Sequence, residues 1–407
     1  MLAALKYLFR AVVRHGSLTL VDADGVAHRF GDGSGRPITI KLHNRAAYRR
    51  LVINPALQFG EAYMDESLTI EDGSLHEFLT LILSNLQHRR LKLMSGLERL
   101  RVLLRRFHQY NPVSRARSNV AHHYDLDGDF YDLFLDADRQ YSCAYFETND
   151  MSLEEAQLAK KRHIASKLNL TAGQRVLDIG SGWGGLGLYL AETADVDVTG
   201  ITLSEEQLQA SMARVEDARR SDSVRFLLQD YRELEGPFDR IVSVGMFEHV
   251  GVGYFATYFR KIWDLLNDDG VALIHTIGRS DGPGATNSWA AKYIFPGAYS
   301  PALSEILPAI EQAGLLVTDV EVLRLHYSMT LQEWLDRFQA ARDAIASLYD
   351  ERFCRMWEFY LASAEACFRY QDLTVYQIQL TKHQEALPLT RDYMIEWERT
   401  QRRLDEA

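Results

Sequence analysis

The chain has 407 residues, of which 47% are hydrophobic and 25% are charged, a composition that excludes collagen-like, low-complexity and disordered proteins. Its length is sufficient for two domains with sizeable cores, and no apolar run reaches the ~18 residues that are needed to span a bilayer. Three cysteines are too few for a disulfide framework or a four-thiolate zinc site, and this usage is typical of a reducing, cytoplasmic compartment. We expect no metal site.

The net charge of −11 is an average over two unlike parts of the chain. Residues 1–118 contain 18 basic and 10 acidic residues, a net charge of +8, and residues 119–407 contain 27 and 46, a net charge of −19. Nine of the basic residues lie within 88–117, together with a single acid, Glu98. Such an asymmetry indicates an anionic partner for the basic part.

The first part of the chain predicts a small α+β domain. Residues 2–13 place leucine, phenylalanine and valine on one helical face, and a second apolar helix is expected over 75–87. Short strands separated by Asp-Gly and Gly-rich turns are expected between these two helices. A basic helix over 89–110 then ends at Asn111-Pro112, before a polar stretch.

We place the domain boundary near residue 115, within that polar stretch. The expected organisation is a domain over 1–108, a linker over 109–118 and a second domain over 119–407. From residue 175 onward, strands and helices alternate, which predicts an open parallel sheet with helices on both faces. The strands are expected at 175–180, 196–202, 224–230, 238–245 and 271–278, and the helices at 184–193, 204–218 and 254–266.

A glycine-rich loop follows the first of these strands, directly after Asp178. Glycines permit a tight turn and let a ligand approach the backbone, but G-x-G-x-x-G by itself is also found in dinucleotide enzymes. The second strand ends in Gly200-Ile-Thr-Leu-Ser204, without the acid that binds the ribose of NAD. The pattern instead favours S-adenosylmethionine, whose ammonium and sulfonium groups are stabilised by an anionic wall.

The expected cofactor contacts lie at three successive strand ends. We expect Asp178 and the backbone of Gly180, Gly182 and Gly184 beside the cofactor, Thr202, Leu203 and Gln207 near its ribose, and Gln229 and Asp230 at its adenine edge.

Several further segments resemble the cyclopropane-fatty-acyl-phospholipid synthases, a family that includes the mycolic acid cyclopropane synthases. The most specific are YSCAYF and MFEHVG, which ordinary small-molecule methyltransferases lack. The mycolic acid enzymes also lack a long N-terminal domain, so the additional 115 residues are similar to the phospholipid-acting branch. The matching segments are VAHHYDLDGDFYDLFLD (120–136), QYSCAYFETNDMSLEEAQLAK (140–160), VLDIGSGWGG, GITLSEEQ, SVGMFEHVG (243–251), LIHTIG (273–278) and LHYSMTLQEW (325–334).

The resemblance implies a seven-stranded, doubly wound Rossmann-like methyltransferase domain, and methylene transfer from S-adenosylmethionine to a cis double bond of a phospholipid acyl chain. Methyl attack leaves a carbocation, and the resemblance implies that bound bicarbonate removes a proton before the ring closes. Cys143, His275 and Tyr327 would contact the bicarbonate by side chain or backbone, Ile277 by backbone, and Glu248 would orient it. Tyr124, Tyr141 and Ser142 resemble family positions that close over the cofactor.

Residue type alone leaves plainer alternatives open. A lone histidine on a strand is usually a satisfied core residue, and Cys143 by itself would be a small buried hydrophobe, as Cys354 and Cys367 are expected to be. The two tyrosines could serve packing. The long aromatic loop over 279–301 is expected to line the acyl channel, with ordinary hydrophobic packing as the alternative.

The basic part is expected to act as a lipid- and membrane-binding domain at an anionic bilayer, on the inner face of the cytoplasmic membrane. Helix 2–14 could lie in the headgroup plane or pack its apolar face on its own domain. The resemblance also implies a homodimer, and nucleic acid is a weaker candidate because no binding motif is recognised. The alternatives are a methyltransferase of the same family that gives a methylated or methylene-branched acyl chain, a catalytically silent lipid-binding protein, and an NAD oxidoreductase.

Overall fold

The computed structural model describes residues 1–87 and 128–405. The basic segment, the expected linker and Tyr124 therefore lie outside the described residues. The described chain forms two compact units that are each drawn from separate stretches of sequence. One combines the described part of Met1–Arg101 with Ala285–Pro296 and Leu331–Asp372, and the other combines the described parts of Val102–Gly284 and Leu373–Ala407 with Gly297–Thr330. The expected boundaries of 1–108, 109–118 and 119–407 remain a prediction, and they did not include this interleaving of segments.

The regular elements follow one another along the whole described chain. The strands are β1 (Ser17–Val21), β2 (Ala27–Phe30), β3 (Pro37–Leu42), β4 (Leu68–Asp72), β5 (Arg175–Ile179), β6 (Asp197–Thr202), β7 (Val224–Leu228), β8 (Phe238–Val244), β9 (Leu266–Arg279), β10 (Leu316–Val322) and β11 (Leu373–Thr381). The helices are α1 (Leu2–Val12), α2 (Ala46–Ile53), α3 (Pro55–Met64), α4 (Leu75–Leu86), α5 (Gly128–Asp132), α6 (Leu153–Leu168), α7 (Gly185–Ala194), α8 (Glu205–Asp217), α9 (Phe255–Leu265), α10 (Ser288–Tyr293), α11 (Leu303–Ala313), α12 (His326–Ala340), α13 (Arg342–Leu348), α14 (Glu351–Tyr370) and α15 (Asp392–Asp405).

Helix α1 packs its apolar face inside the first unit. Leu5 and Phe9 are buried, and the Phe9 ring lies 5.4 Å from that of Phe30 on β2. The helix is amphipathic because its apolar residues recur every three to four positions, and it packs against β2, α2, α3 and α4. The apolar face of the helix is therefore a core element, which settles the alternative left open for residues 2–14.

The aromatic loop after β9 contributes Trp289 to the core of the first unit. Its ring lies 4.7 Å from that of Phe359 on α14, and its indole N–H donates to Met64 Sδ at 3.3 Å. A Cβ at Gly60 of α3 would lie 2.3 Å from this indole, so only glycine leaves room for it. Hydrophobic packing thus accounts for Trp289, whereas the expectation was that this loop lines an acyl channel.

The second unit contains a seven-stranded sheet in the order β10-β11-β9-β8-β5-β6-β7. The pairs β5–β6, β6–β7, β5–β8 and β8–β9 are parallel, as the alternation of strands and helices predicted. The doubly wound seven-stranded fold is therefore confirmed. The sheet is not parallel throughout, since β11 runs antiparallel to both β9 and β10. No helix in the part of the chain that the structure describes is long and apolar enough to cross a bilayer.

Candidate active site

Several of the predicted site residues lie at the carboxyl ends of the parallel strands in the second unit. Strand β5 pairs with β6 on one side and β8 on the other, so the sheet order reverses there. In doubly wound sheets a ligand crevice opens at this point. Asp178 lies on β5, Thr202 ends β6, and His275 and Ile277 lie on β9.

The three loop glycines have left-handed backbones, with φ of +82° at Gly180, +55° at Gly182 and +83° at Gly184. A Cβ at Gly184 would lie 2.8 Å from the Phe226 ring, so this glycine serves internal packing. A Cβ at Gly182 would meet no atom within 4 Å. The open space at Gly182 is where a ligand could approach the backbone.

Asp178 is almost completely buried at the end of β5. Burial raises the pKa of its carboxyl to about 7, although the charge of Lys160 opposes this shift. Its Oδ2 atom and the nearby Ser181 Oγ have no hydrogen-bond partner among the described residues. Since an unsatisfied buried carboxylate is costly, a ligand ammonium would fit this position.

The loop after β6 orders a pair of polar side chains. Thr202 Oγ1 lies 2.8 Å from Gln207 Oε1, and the Ser204 hydroxyl caps α8 by accepting from the Gln207 N–H at 3.3 Å. Both Thr202 and Gln207 are buried, whereas Leu203 is partly exposed. This edge is suited to hydrogen bonds with ribose hydroxyls.

Gln229 and Asp230 follow β7, as predicted, and differ in environment. Asp230 is buried and accepts two hydrogen bonds from the Arg232 guanidinium, at 2.8 and 2.7 Å. Gln229 is partly exposed, and its amide donates to the Glu233 carbonyl at 3.2 Å. Their proposed contact with adenine remains a prediction.

Glu248 is buried in the loop after β8. Its Oε1 accepts from the backbone N–H of Ile277 at 2.5 Å, whereas its Oε2 has no hydrogen-bond partner in the described part of the chain. Burial raises the pKa of Glu248 to about 7, although the bond from Ile277 opposes the shift. Glu248 is thus a fixed carboxyl group with one oxygen available to a ligand. The Ile277 N–H holds Glu248 here, and its contact with bicarbonate remains a prediction.

The segment from Tyr141 to Ala144 is held against α6 and α12. The Ala144 N–H donates to Thr330 Oγ1 at 3.0 Å, one turn after the buried Tyr327. Cys143 is buried, and burial raises the pKa of its thiol well above the usual range. Tyr141 is partly buried, with its ring 5.5 Å from that of Tyr131 on α5.

Lys160 is a fully buried cation beneath the same segment. Its Nζ donates to Ser142 Oγ at 2.8 Å and to Gln140 Oε1 at 2.6 Å. Burial lowers the pKa of Lys160 to about 8. Its charge opposes the rise in the pKa of Cys143 and Asp178 and adds to the fall in the pKa of His275, so these predicted site residues share one electrostatic neighbour.

His275 lies on β9, and its ring Nδ1 is 3.1 Å from Gln377 Nε2 on β11. Burial lowers the pKa of His275 to about 3, so its ring is neutral. The sequence interpretation missed Gln377 and the lysines of α6. A signal was present, since Lys160, His163 and Lys167 are spaced i, i+3 and i+7 and therefore share a helix face.

Comparisons with known proteins agree with this fold and show the family of the chain. The family profile described as mycolic acid cyclopropane synthetase matches residues 112–378, and one described as a domain of unknown function (DUF7884) matches residues 6–89. The cyclopropane-fatty-acyl-phospholipid synthase of Escherichia coli is 38% identical over 348 residues, which are 85% of this chain and 88% of that protein.

Two further relatives differ in their reported products or ligands. The tuberculostearic acid methyltransferase UfaA1 of Mycobacterium tuberculosis is 34% identical over 391 residues, covering 92% of this chain and 90% of its own. The crystal structure of the mycolic acid cyclopropane synthase CmaA1, complexed with SAH and CTAB, is 35% identical with a TM-score of 0.62. It covers 67% of this chain and 99% of its own.

The buried carboxyl of Glu248 predicts a pH-dependent cost to stability. Its pKa rises from 4.5 when unfolded to about 7 when folded, so between these values the folded state binds more protons. The contribution of Glu248 to stability therefore falls as the pH rises from 4.5 to 7. Glu248→Gln keeps an acceptor for the Ile277 N–H and removes this loss. We expect the variant to gain roughly 3 kcal/mol relative to wild type between pH 4.5 and 8.

The measurement is urea unfolding of both proteins across this pH range, read as the difference in free energy of unfolding. Glu192→Gln, at an exposed carboxylate on α7, is the matched control and should give a flat difference. If the difference in free energy of unfolding between Glu248→Gln and wild type also stays constant with pH, Glu248 is not a buried, unpaired carboxyl.

Proposed function

Because the chain belongs to the mycolic acid cyclopropane synthetase family, we propose that it transfers a methylene group from S-adenosylmethionine to the cis double bond of unsaturated phospholipid acyl chains, forming a cyclopropane ring. The chain is an S-adenosylmethionine-dependent enzyme of that family. The observation that carries the proposal is Glu248, a buried carboxyl with one oxygen held by Ile277 and the other available to a ligand.

The residues at the end of β5 fit S-adenosylmethionine. When bound there, it supplies an activated methyl group beside the acyl double bond. Asp178 would accept a hydrogen bond from its ammonium group, and the missing side chain of Gly182 would let it approach the backbone closely. Thr202 and Gln207 would bind its ribose. Tyr124, Tyr141 and Ser142 would close over it, with Lys160 fixing the Ser142 hydroxyl.

The residues around Glu248 fit a small hydrogen-bonding anion, for which we propose bicarbonate. When bound, bicarbonate supplies the base that accepts a proton from the newly added methyl group. Glu248 Oε2 would accept its hydrogen, and Cys143, His275, Ile277 and Tyr327 would position it. Since Glu248 has its pKa near 7, it can hold or release this proton at neutral pH.

A second candidate product is a methylated or methylene-branched acyl chain. It is favoured by the similarity to a tuberculostearic acid methyltransferase over 92% of this chain. Both reactions begin with methyl transfer to an alkene, and they diverge only in the fate of the carbocation. The same residues would serve either outcome.

We further propose that the enzyme associates peripherally with the anionic inner face of the cytoplasmic membrane, as a homodimer. The support for membrane association is the net charge of +8 over residues 1–118, whereas the homodimer is proposed from the family resemblance alone. Since the apolar face of α1 is buried in its own unit while Arg10 and Arg14 are exposed, attraction to the surface would be mainly electrostatic.

The product test uses vesicles of cis-unsaturated phosphatidylglycerol and phosphatidylethanolamine with S-adenosylmethionine. Acyl chains are analysed by mass and then by a reagent specific for double bonds. We expect a gain of one CH₂ with loss of the double bond. A gain of one CH₂ with a surviving double bond supports the methylated or methylene-branched alternative. No gain in mass contradicts both.

In the same assay, Glu248→Gln should lower turnover by about 10²–10⁴-fold, because the proton can no longer pass to a carboxylate. Binding of S-adenosylmethionine, measured by calorimetry, should stay within a factor of about three of wild type. Glu192→Gln serves as the control. Near-normal turnover of Glu248→Gln would contradict the role proposed for this residue.

The cofactor site is tested by a matched pair of glycine substitutions. Gly182 and Gly173 have φ of +55° and +77°, and a Cβ at either would meet no atom within 4 Å. Both alanine variants therefore carry a similar backbone strain of about 1–2 kcal/mol. Only Gly182→Ala fills the cofactor space, so calorimetry should detect at least about tenfold weaker S-adenosylmethionine binding for it alone. Equal affinity in the two variants would place the cofactor elsewhere.

Membrane association is tested by reversing Arg99, Arg101, Arg105 and Arg106 to glutamate. We expect weaker sedimentation with phosphatidylglycerol vesicles, with the difference shrinking as salt rises. Reversal of the exposed Arg219, Arg324, Arg399 and Arg403 gives the same change in net charge at other positions. If both sets weaken binding equally, net charge alone governs association and the basic segment has no particular role.

A further inference from the structure

A buried chain of hydrogen bonds leads from His275 through β11 to helix α6. His275 and Gln377 are direct neighbours in the register of β9 and β11. Gln377 Nε2 lies 3.1 Å from His275 Nδ1, and Gln377 Oε1 lies 2.8 Å from Lys167 Nζ. All three side chains are at most 3% exposed.

The chemistry of Lys167 fixes the direction of this chain. An ammonium group has three donors and no acceptor, so it is the oxygen of the Gln377 amide that faces Lys167. The NH₂ of the same amide must then point toward His275 and donate to Nδ1. A ring nitrogen that accepts a hydrogen bond carries no proton, and a neutral imidazole therefore has its proton on Nε2.

The charge of Lys167 is maintained by Glu321, with which it forms an ion pair. Glu321 also accepts from His163 Nε2 at 2.6 Å, and Glu398 contacts the other nitrogen of the His163 ring. Burial lowers the pKa of Lys167, and Glu321 opposes that shift. The chain thus ends in carboxylates that keep Lys167 a donor.

We infer that Lys167 and Gln377 are positioning residues that hold His275 in its neutral Nε2–H tautomer, so that His275 serves the active site as a hydrogen-bond donor. Within residues 1–87 and 128–405, Gln377 is the only hydrogen-bond partner of the His275 ring, which leaves Nε2–H for a ligand. This inference rests on the proposed function, which supplies the ligand that His275 would contact. Toward an anion such as bicarbonate, His275 would donate a neutral hydrogen bond and would not remove a proton.

The tautomer can be observed directly in the protein without ligands. With histidine labelled by ¹⁵N, His275 is assigned from the difference between wild type and His275→Gln. We expect the nitrogen shifts of an unprotonated Nδ1 and a protonated Nε2 near neutral pH. A protonated Nδ1 in the wild-type protein would overturn the inference, and this result requires no other variant to fold.

Gln377→Glu replaces the amide that donates to His275 by a carboxylate that can only accept, with almost no change in side-chain volume. A carboxylate between Lys167 and His275 can only accept, so the His275 proton should move to Nδ1. We expect kcat to fall by about 10–100-fold with little change in KM for S-adenosylmethionine, as is usual when a group that orients a ligating histidine is replaced. Gln377→Met, which removes the donor without adding charge, should leave a mixture of tautomers.

The matched controls are Gln379→Glu and Gln379→Met. Gln379 is two residues along β11 on the same face, is equally buried and contacts the Lys167 carbonyl and Tyr393 instead of His275. Its variants measure the cost of the same change without altering the His275 tautomer. If Gln377→Glu retains both the Nε2–H tautomer and wild-type kcat, the inference is wrong. If wild type has the expected tautomer and gives no product, the proposed function fails while the assignment of the tautomer stands.

Discussion

The hydrogen bond from the Ile277 backbone N–H to Glu248 is the interaction on which the site depends. It joins β9 to the loop after β8 and holds a carboxyl group at the carboxyl ends of the parallel strands. Because Oε1 is held and Oε2 has no described partner, Glu248 presents one directed acceptor in a dry environment. The pKa of about 7 follows from that burial, so the carboxyl that could accept a proton is also one that can release it.

Helix α6 supplies the positive charge that this arrangement of buried acids requires. Lys160 and Lys167 both point into the unit, where Lys160 holds the Ser142 segment and Lys167 holds the amide of Gln377. Burying two ammonium groups is costly, and each is compensated by several acceptors. The helix therefore has a structural cost that a purely apolar face would not have. The two lysines nevertheless fix the positions of the segment that contains Cys143 and, through Gln377, of the His275 ring.

Five of the seven strands of the main sheet, β5 to β9, were predictable because they are apolar runs between clear helix and turn signals, as in the stretch from Arg175 to Asp230, whereas β10 and β11 were not predicted from the pattern. The positions of Asp178 and Glu248 at strand ends followed from the same pattern. The contribution of Ala285–Pro296 and Leu331–Asp372 to the first unit could not be predicted, because packing between distant segments leaves no local periodicity. Lys167 and Gln377 were missed for a related reason, since buried polar residues resemble solvent-exposed ones when a sequence is read by hydropathy.

The geometry also bears on how ring closure and methyl branching could share one scaffold. Both need an alkene beside an activated methyl group, and neither is distinguished by the sheet or the glycine loop. They differ in whether a proton leaves the added methyl group or a neighbouring carbon. A base that is oriented by a rigidly held carboxyl, as Glu248 would orient bicarbonate, favours loss from one position. A neutral histidine that donates from Nε2 adds no competing base. Under the proposed function, the hydrogen bonds that fix Glu248 and His275 would help to select the proton that leaves, and they would do so on a scaffold that serves either product.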